Sequence, residues 1–169
     1  MSWTIWLTGP PAAGKTEIAR ALRERLAAEG TVAVWLESDA LRRILAPGAD
    51  YSPAARDRFY AGLADLAALL AGQGLNVIVD ATASRRAYRA RLRERVPGLI
   101  EVLVDAPLAV REARDPKGLY RRARAGDAPS LPGATEPYEP PVDPDLALAG
   151  TDPPGANAER ILAAVTAPG

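Results

Sequence analysis

Short apolar runs alternate with longer segments of helical periodicity along most of the chain. Trp3–Leu7, Val32–Leu36, Leu75–Val79 and Leu99–Asp105 are compact and rich in β-branched or large apolar residues, and they read as buried strands. Leu146–Leu148 reads as an edge strand. Between the runs, Thr16–Glu29 carries Ile18, Ala19, Leu22 and Leu26 at helical spacing and stops at Gly30. Ala40–Leu45 is a short helix, with Asp39 in a position to cap it. Pro47-Gly48-Ala49-Asp50 is a turn cluster. A long helix then opens with Ser52 as N-cap and Pro53 at its first position, and runs to about Gln73 over a stripe of Leu63, Leu66, Leu69 and Leu70. A strongly basic helix starts at Arg85, and a short one spans Pro107–Arg114. The last, Ala158–Ala167, packs Ile161, Leu162 and Val165, with Asn157 as cap. Strands that alternate with helices predict an α/β fold, a mostly parallel sheet with helices on both faces. Asp127–Pro144 is rich in Pro, Gly and Asp, lacks periodicity, and reads as a functional or disordered loop.

Between the first strand and first helix lies Gly9-Pro10-Pro11-Ala12-Ala13-Gly14-Lys15-Thr16. It fits G-x-x-x-x-G-K-[ST], and the strand before and helix after supply the context that this motif requires. Glycines let backbone N–H groups wrap a phosphate, Lys15 reaches the β- and γ-phosphates, and the Thr16 hydroxyl ligates Mg²⁺. The third strand closes on Asp80, the pattern of a carboxylate that helps hold Mg²⁺ beside a phosphate loop. The second strand ends in Glu37-Ser38-Asp39. In an open α/β sheet ligands bind at the carboxyl ends of strands, so Asp39 is placed to meet the bound phosphates, to cap the next helix, or both.

Composition narrows the chemistry. The 169 residues suit one domain, 1–169, a phosphate-loop kinase domain with no internal repeat or boundary. Lys and Arg number 21 against 21 Asp and Glu, so the net charge gives no support for a nucleic-acid or membrane binder. Cys and His are both absent. Thiolate and imidazole chemistry are excluded, and a carboxylate must carry any proton abstraction. No basic leader and no apolar run of ~18 residues is seen, and a soluble cytoplasmic protein is expected.

Two basic segments remain. Six arginines stand against Glu94 alone between positions 85 and 95, a patch that either faces solvent or meets a polyanion. Arg114-Asp115-Pro116-Lys117-Gly118-Leu119-Tyr120-Arg121-Arg122-Ala123-Arg124-Ala125-Gly126 reads either as a lid whose cations close over a triphosphate or as a plain basic helix. The chain is too short for motor or helicase domains and lacks a guanine-specifying N-K-x-D. A small-molecule kinase is the reading left, with MgATP as donor, Lys15 and the lid arginines (Arg114, Arg121, Arg122, Arg124) stabilising the γ-phosphoryl, and Asp39 orienting or deprotonating an acceptor hydroxyl.

The segment from Asp115 to Gly126, followed by Pro137-Tyr138-Glu139-Pro140-Pro141, resembles the lid and following loop of the adenylyl-sulfate kinase family. Leu36-Glu37-Ser38-Asp39-Ala40-Leu41-Arg42 is similar to that family's L-D-G-D-N-V-R segment, and Tyr51-Ser52 with Arg56 to its F-S-x-x-D-R segment. The resemblance implies phosphorylation of the ribose 3′-hydroxyl of adenosine 5′-phosphosulfate by MgATP, with Arg42, Arg56 and Lys117 on the sulfated nucleotide, and a possible homodimer. Some positions depart from the family. Phe59 stands where the family has Asn, Ala61-Gly62 replace an Arg pair, and Ala83 replaces a serine, so no covalent phosphoserine is expected. Leu131 replaces the phenylalanine that stacks on the substrate adenine, while Tyr51 keeps an aromatic face. Base stacking is worth ~1–3 kcal/mol, so weaker nucleotide affinity is expected. These departures lie in the acceptor half, and a related kinase of another small hydroxyl acceptor is the alternative. A nucleotide-binding regulatory protein without turnover is a third reading, opposed by Lys15, Thr16, Asp39 and Asp80.

Overall fold

The computed structural model describes residues 2–48, 50–127 and 131–166. Ala49 of the turn cluster, residues 128–130 of the long loop and Ala167 of the last helix lie outside the described residues. Five strands, β1 (Thr4–Thr8), β2 (Ala33–Glu37), β3 (Asn76–Asp80), β4 (Leu99–Asp105) and β5 (Leu146–Ala149), form one sheet in the order β2-β3-β1-β4-β5. Every pairing is parallel, with Leu7 opposite Asp80 and Asp80 opposite Glu37 in register.

Side-chain alternation divides the core between the two faces. Ile5, Leu7, Ile78, Val102 and Val104 point to one side, beneath α1 (Lys15–Ala28) and α7 (Pro154–Thr166). Trp6, Val77, Val79 and Leu99 point to the other, beneath α3 (Pro53–Gly72) and α4 (Arg86–Arg95). Ser52 caps α3 as expected, its hydroxyl accepting from Ala55 N, with Pro53 in the first turn. Of the stripe expected on α3, Leu63 is buried, but Leu69 is 59% exposed.

Two capping expectations are corrected. The helix after β2, α2 (Ser38–Leu45), starts two residues early, so Asp39 lies in its first turn and the capping position falls to Glu37. Asn157 likewise lies inside α7, where its side-chain amide donates to Ala149 O at 2.9 Å and ties the helix to β5. The short helix expected before the lid is α5 (Leu108–Arg114), with Pro107 at its cap, and within the lid segment a turn with Gly118 in the left-handed region leads into α6 (Leu119–Arg124). Among the described residues no helix is long and apolar enough to cross a membrane.

The six arginines at positions 85–95 are absorbed within the fold. Arg85 pairs with Asp57, Arg91 and Arg95 with Asp65, and Arg93 with Asp145 and Glu101. Arg86 donates to Pro140 O, and Arg89 is 2% exposed and paired with Glu101. Of the two readings left open for this patch, the packed surface is the one the structure favours.

Because all strands run in one direction, the loops after β1, β2, β3, β4 and β5 gather at one edge of the sheet. β1, in the centre, delivers its loop to the middle of that edge.

Candidate active site

The loop Gly9–Gly14 fits its surroundings closely. A Cβ on Gly9 would lie 1.9 Å from Val104 O, and Gly9 has φ +154°. Gly150, after β5, faces it, and a Cβ there would lie 1.7 Å from Ala13 O. Only glycine permits these two backbones to meet. Lys15, 8% exposed at the start of α1, donates to Gly9 O at 2.8 Å and Pro10 O at 3.0 Å. Thr16 Oγ1 donates to Asp80 Oδ2 at 2.8 Å. Motif and strand-end carboxylate, 64 residues apart, thus meet.

Burial dominates the electrostatics of both charged groups. It lowers the Lys15 pKa from 10.5 to about 8, Asp80 opposing the shift and Lys117 and Arg111 adding to it. Burial raises the Asp80 pKa, against Lys15 and the Thr16 hydrogen bond. Above pH about 8 the free protein therefore holds Lys15 neutral. The unfolded chain binds the extra proton between about 8 and 10.5, so the stability cost of burying this ammonium is present below that window and relieved as pH rises through it. A phosphate bound against this amine would favour its charged form. We expect ATP binding at pH 9 to take up a proton and binding at pH 6.5 to take up none, read by calorimetry in buffers of different ionisation enthalpy. In Lys15→Met the buffer dependence at pH 9 should vanish.

A cavity of about 560 Å³ lies over the loop. Pro11, Ala12, Gly14, Lys15 and Thr16 of the loop line it, together with Glu37, Asp39 and Asp80, Arg114 and Lys117, and the turn Gly150–Pro154. Arg114 donates to Ala13 O at 3.3 Å and Gly150 O at 2.8 Å, joining α5, the loop and the β5–α7 turn. Arg111, 8% exposed, donates to the Tyr120 hydroxyl at 2.8 Å, and that hydroxyl donates to Pro11 O at 2.8 Å.

A second cavity of about 660 Å³ adjoins the first. Both share Pro11, Ser38, Asp39, Thr82, Lys117 and Leu119. At their junction the Lys117 ammonium contacts the Asp39 carboxylate. The second cavity gathers Arg42 from α2, Tyr51, Arg56 from α3, Arg122 from α6 and Leu131. Arg56 is 8% exposed and pairs with Glu136. Leu131 is 6% exposed and heads a tight turn in which its carbonyl accepts from Thr135 N and Glu136 N at 3.0 Å.

The structure thus places Lys15, Thr16, Asp80 and Arg114 around the first cavity, and Arg42, Tyr51, Arg56, Arg122 and Leu131 around the second, with Asp39 and Lys117 on both. Arg121 and Arg124 line neither, and Arg124 pairs with Glu112. The sequence reading missed Glu37, Arg111, Glu136 and the turn Gly150–Pro154 as parts of the site. For Glu37 the signal was present, since it ends β2 beside Asp80. For the Gly150 turn it was Gly150-Thr151-Asp152-Pro153 at the carboxyl end of an edge strand.

Comparison with known proteins agrees with this architecture. The chain is 41% identical over 143 residues to the adenylyl-sulfate kinase of Microcystis aeruginosa, covering 85% of this chain and 79% of the relative. It is 41% identical over 162 residues to that of Paraburkholderia xenovorans, covering 94% and 90%. The Mycobacterium tuberculosis APS kinase, solved in complex with AMPPNP and APS, superposes with a TM-score of 0.92 at 33% identity over 98% of both chains. The family model for adenylylsulphate kinase matches residues 1–149, and the chain belongs to that family.

Proposed function

We infer that this protein is an adenylyl-sulfate kinase, which transfers the γ-phosphoryl of MgATP to the ribose 3′-hydroxyl of adenosine 5′-phosphosulfate. One observation carries the assignment of parts: two cavities share a wall at Asp39 and Lys117, one floored by the phosphate loop and the other lined by Arg42 and Arg56. In phosphoryl transfer a protein mainly positions two substrates in line and neutralises charge. The loop N–H groups and Lys15 hold the donor phosphates. Arg114 and Lys117 line the same cavity and add positive charge to it. Asp39, on both cavities, orients the acceptor hydroxyl and receives its proton.

Thr16 and Asp80 fit a Mg²⁺ site. Two hard oxygen donors lie 2.8 Å apart on the cavity wall, and among the described residues no group of three or more acidic side chains is arranged to hold a metal ion by itself. Such an ion would take its other ligands from phosphate and water. Bound there, Mg²⁺ supplies charge neutralisation at the β- and γ-oxygens.

The test is product formation from MgATP and adenosine 5′-phosphosulfate, run beside a panel of other alcohol acceptors. Formation of the 3′-phosphorylated product supports the assignment. Turnover confined to another acceptor would transfer it to the alternative suggested by Phe59, Ala61 and Leu131. Binding of both nucleotides without turnover would leave a regulatory protein. Asp39→Asn should lower kcat by about 10²- to 10⁴-fold, the usual worth of a positioned acid or base, with ATP affinity retained.

A cytoplasmic location is the reading we propose, since both substrates are intracellular nucleotides. A homodimer is the assembly we propose, supported by the apolar surface of α2, where Ile44 is 71% and Leu45 58% exposed. Light scattering after gel filtration checks it.

A further inference from the structure

Three of the cations that line the second cavity, Arg42, Arg56 and Lys117, are held in different ways. Arg56 is paired with Glu136, and Lys117 with Asp39. Arg42 has no acidic partner among the described residues, and its Nη1 is buried without a hydrogen-bond partner. Aromatic rings surround it, and its side chain also hydrogen-bonds the Tyr60 hydroxyl. Its guanidinium carbon lies 3.9 Å from the centroid of Phe59, 5.1 Å from that of Tyr51 and 6.0 Å from that of Tyr60. Phe59 is 7% exposed and fixed edge-on against Tyr60 at 5.4 Å, and Tyr60 stacks on Tyr88 at 4.5 Å. The Tyr60 hydroxyl accepts from Ala83 N at 3.2 Å. The ring facing the guanidinium therefore belongs to a packed aromatic stack.

An acid and a ring both hold an arginine, with opposite consequences for a ligand. A carboxylate neutralises the charge, whereas a π face attracts the cation and leaves its full charge on offer. Covering one face of the planar group also restricts the rotamers that a free arginine would lose on binding, so less entropy is forfeited when an anion arrives.

We propose that Phe59 is a positioning residue for the acceptor substrate: its ring holds Arg42 in place and un-neutralised, so that the guanidinium takes an anionic group of that substrate. The proposal rests on the second cavity being the acceptor site. Phe59 acts through Arg42 and on the charged part of the ligand only. It does not act on the base or the donor nucleotide.

The experiment measures binding of adenosine 5′-phosphosulfate, 5′-AMP, adenosine and ATP to the wild type, Phe59→Leu, Phe59→Trp and Arg42→Met. A cation–π contact of ~1–2 kcal/mol converts to roughly tenfold in affinity. Phe59→Leu, which keeps an apolar side chain, should weaken the phosphosulfate and 5′-AMP by about that factor, with adenosine and ATP binding unchanged. KM for the phosphosulfate should rise and kcat stay level. Phe59→Trp, a stronger π donor, should hold wild-type affinity. In the Arg42→Met background, Phe59→Leu should have no further effect on the anionic ligands. Equal losses for adenosine and 5′-AMP, equal losses in the Leu and Trp variants, or additivity with Arg42→Met would each overturn it. Absence of phosphosulfate and 5′-AMP binding by the wild type would instead remove the acceptor-site reading, a result visible before any variant is compared.

Discussion

Lys15→Met should lower kcat by about 10²- to 10³-fold, the loss that follows removal of one preorganised group aimed at developing charge. The side chain is 8% exposed, and the Gly9 and Pro10 carbonyls hold its ammonium over the loop. Methionine keeps the length and burial of the stem but supplies no charge to the β- and γ-phosphates. The fold should survive, since the partners of the amine are loop carbonyls at the rim of a cavity and not core groups. A thermal midpoint within about 4 °C of wild type, or roughly 1 kcal/mol for a chain of this size, together with the kinetic loss would separate catalysis from folding. An unchanged kcat would remove Lys15 from the mechanism.

The second large effect concerns stability. Arg89 is 2% exposed and makes four kinds of contact at once. Its Nε donates to Glu101 at 2.6 Å, Nη1 to Ala83 O, and Nη2 to Glu139 O at 2.7 Å, and its guanidinium carbon lies 5.9 Å from the centroid of Tyr138. Glu139 in turn takes its place at the start of α4, accepting from Arg86 N at 2.8 Å, and its own N–H donates to Ser84 O at 2.8 Å. Tyr138 shares a 2.9 Å hydrogen bond with Thr8, whose hydroxyl donates to Thr82 O. Arg89 thus pins the segment Pro137–Pro141 over the loops that follow β1 and β3. Arg89→Met leaves Glu101 buried beside Arg93 alone, at 3.5 Å. Breaking a buried pair by removing one partner costs about 3–5 kcal/mol, so calorimetry should show the thermal midpoint falling by roughly 10 °C. Arg89→Lys should not restore it, because an ammonium cannot donate along three fixed directions in one plane. Adding Glu101→Leu to Arg89→Met should recover part of the loss. A midpoint unchanged in Arg89→Met would show that the clamp contributes nothing.

The strands and the phosphate loop could be read from sequence because their signals are local. Apolar runs of five to seven residues mark β1 to β4, and the G-x-x-x-x-G-K-T spacing lies within one turn and one helix start. The basic helix could not be read this way. Its partners, Asp57, Asp65, Glu101 and Asp145, lie 8 to 52 residues from the arginines that they neutralise. Charge counting within a window sees a polycation, while the folded chain presents paired charges. The same limit hid why position 150 must be glycine, although the turn itself is marked by Gly150-Thr151-Asp152-Pro153. The need for a missing side chain there arises from the approach of Ala13 O, which no local pattern announces. Asp39 was legible as a residue of the site but misplaced as a cap, since helix ends shift by a residue or two with little energetic cost.

The central claim is that one carboxylate stands between two substrates. The direct measurement is a crystal structure of the protein with AMPPNP, Mg²⁺ and adenosine 5′-phosphosulfate. The account predicts triphosphate wrapped by residues 9–16, Thr16 and Asp80 at the ion, and the ribose 3′-hydroxyl within hydrogen-bond distance of Asp39, with the phosphosulfate group at Arg42. A nucleotide bound away from residues 9–16, or Asp39 turned from both cavities into solvent, would contradict it.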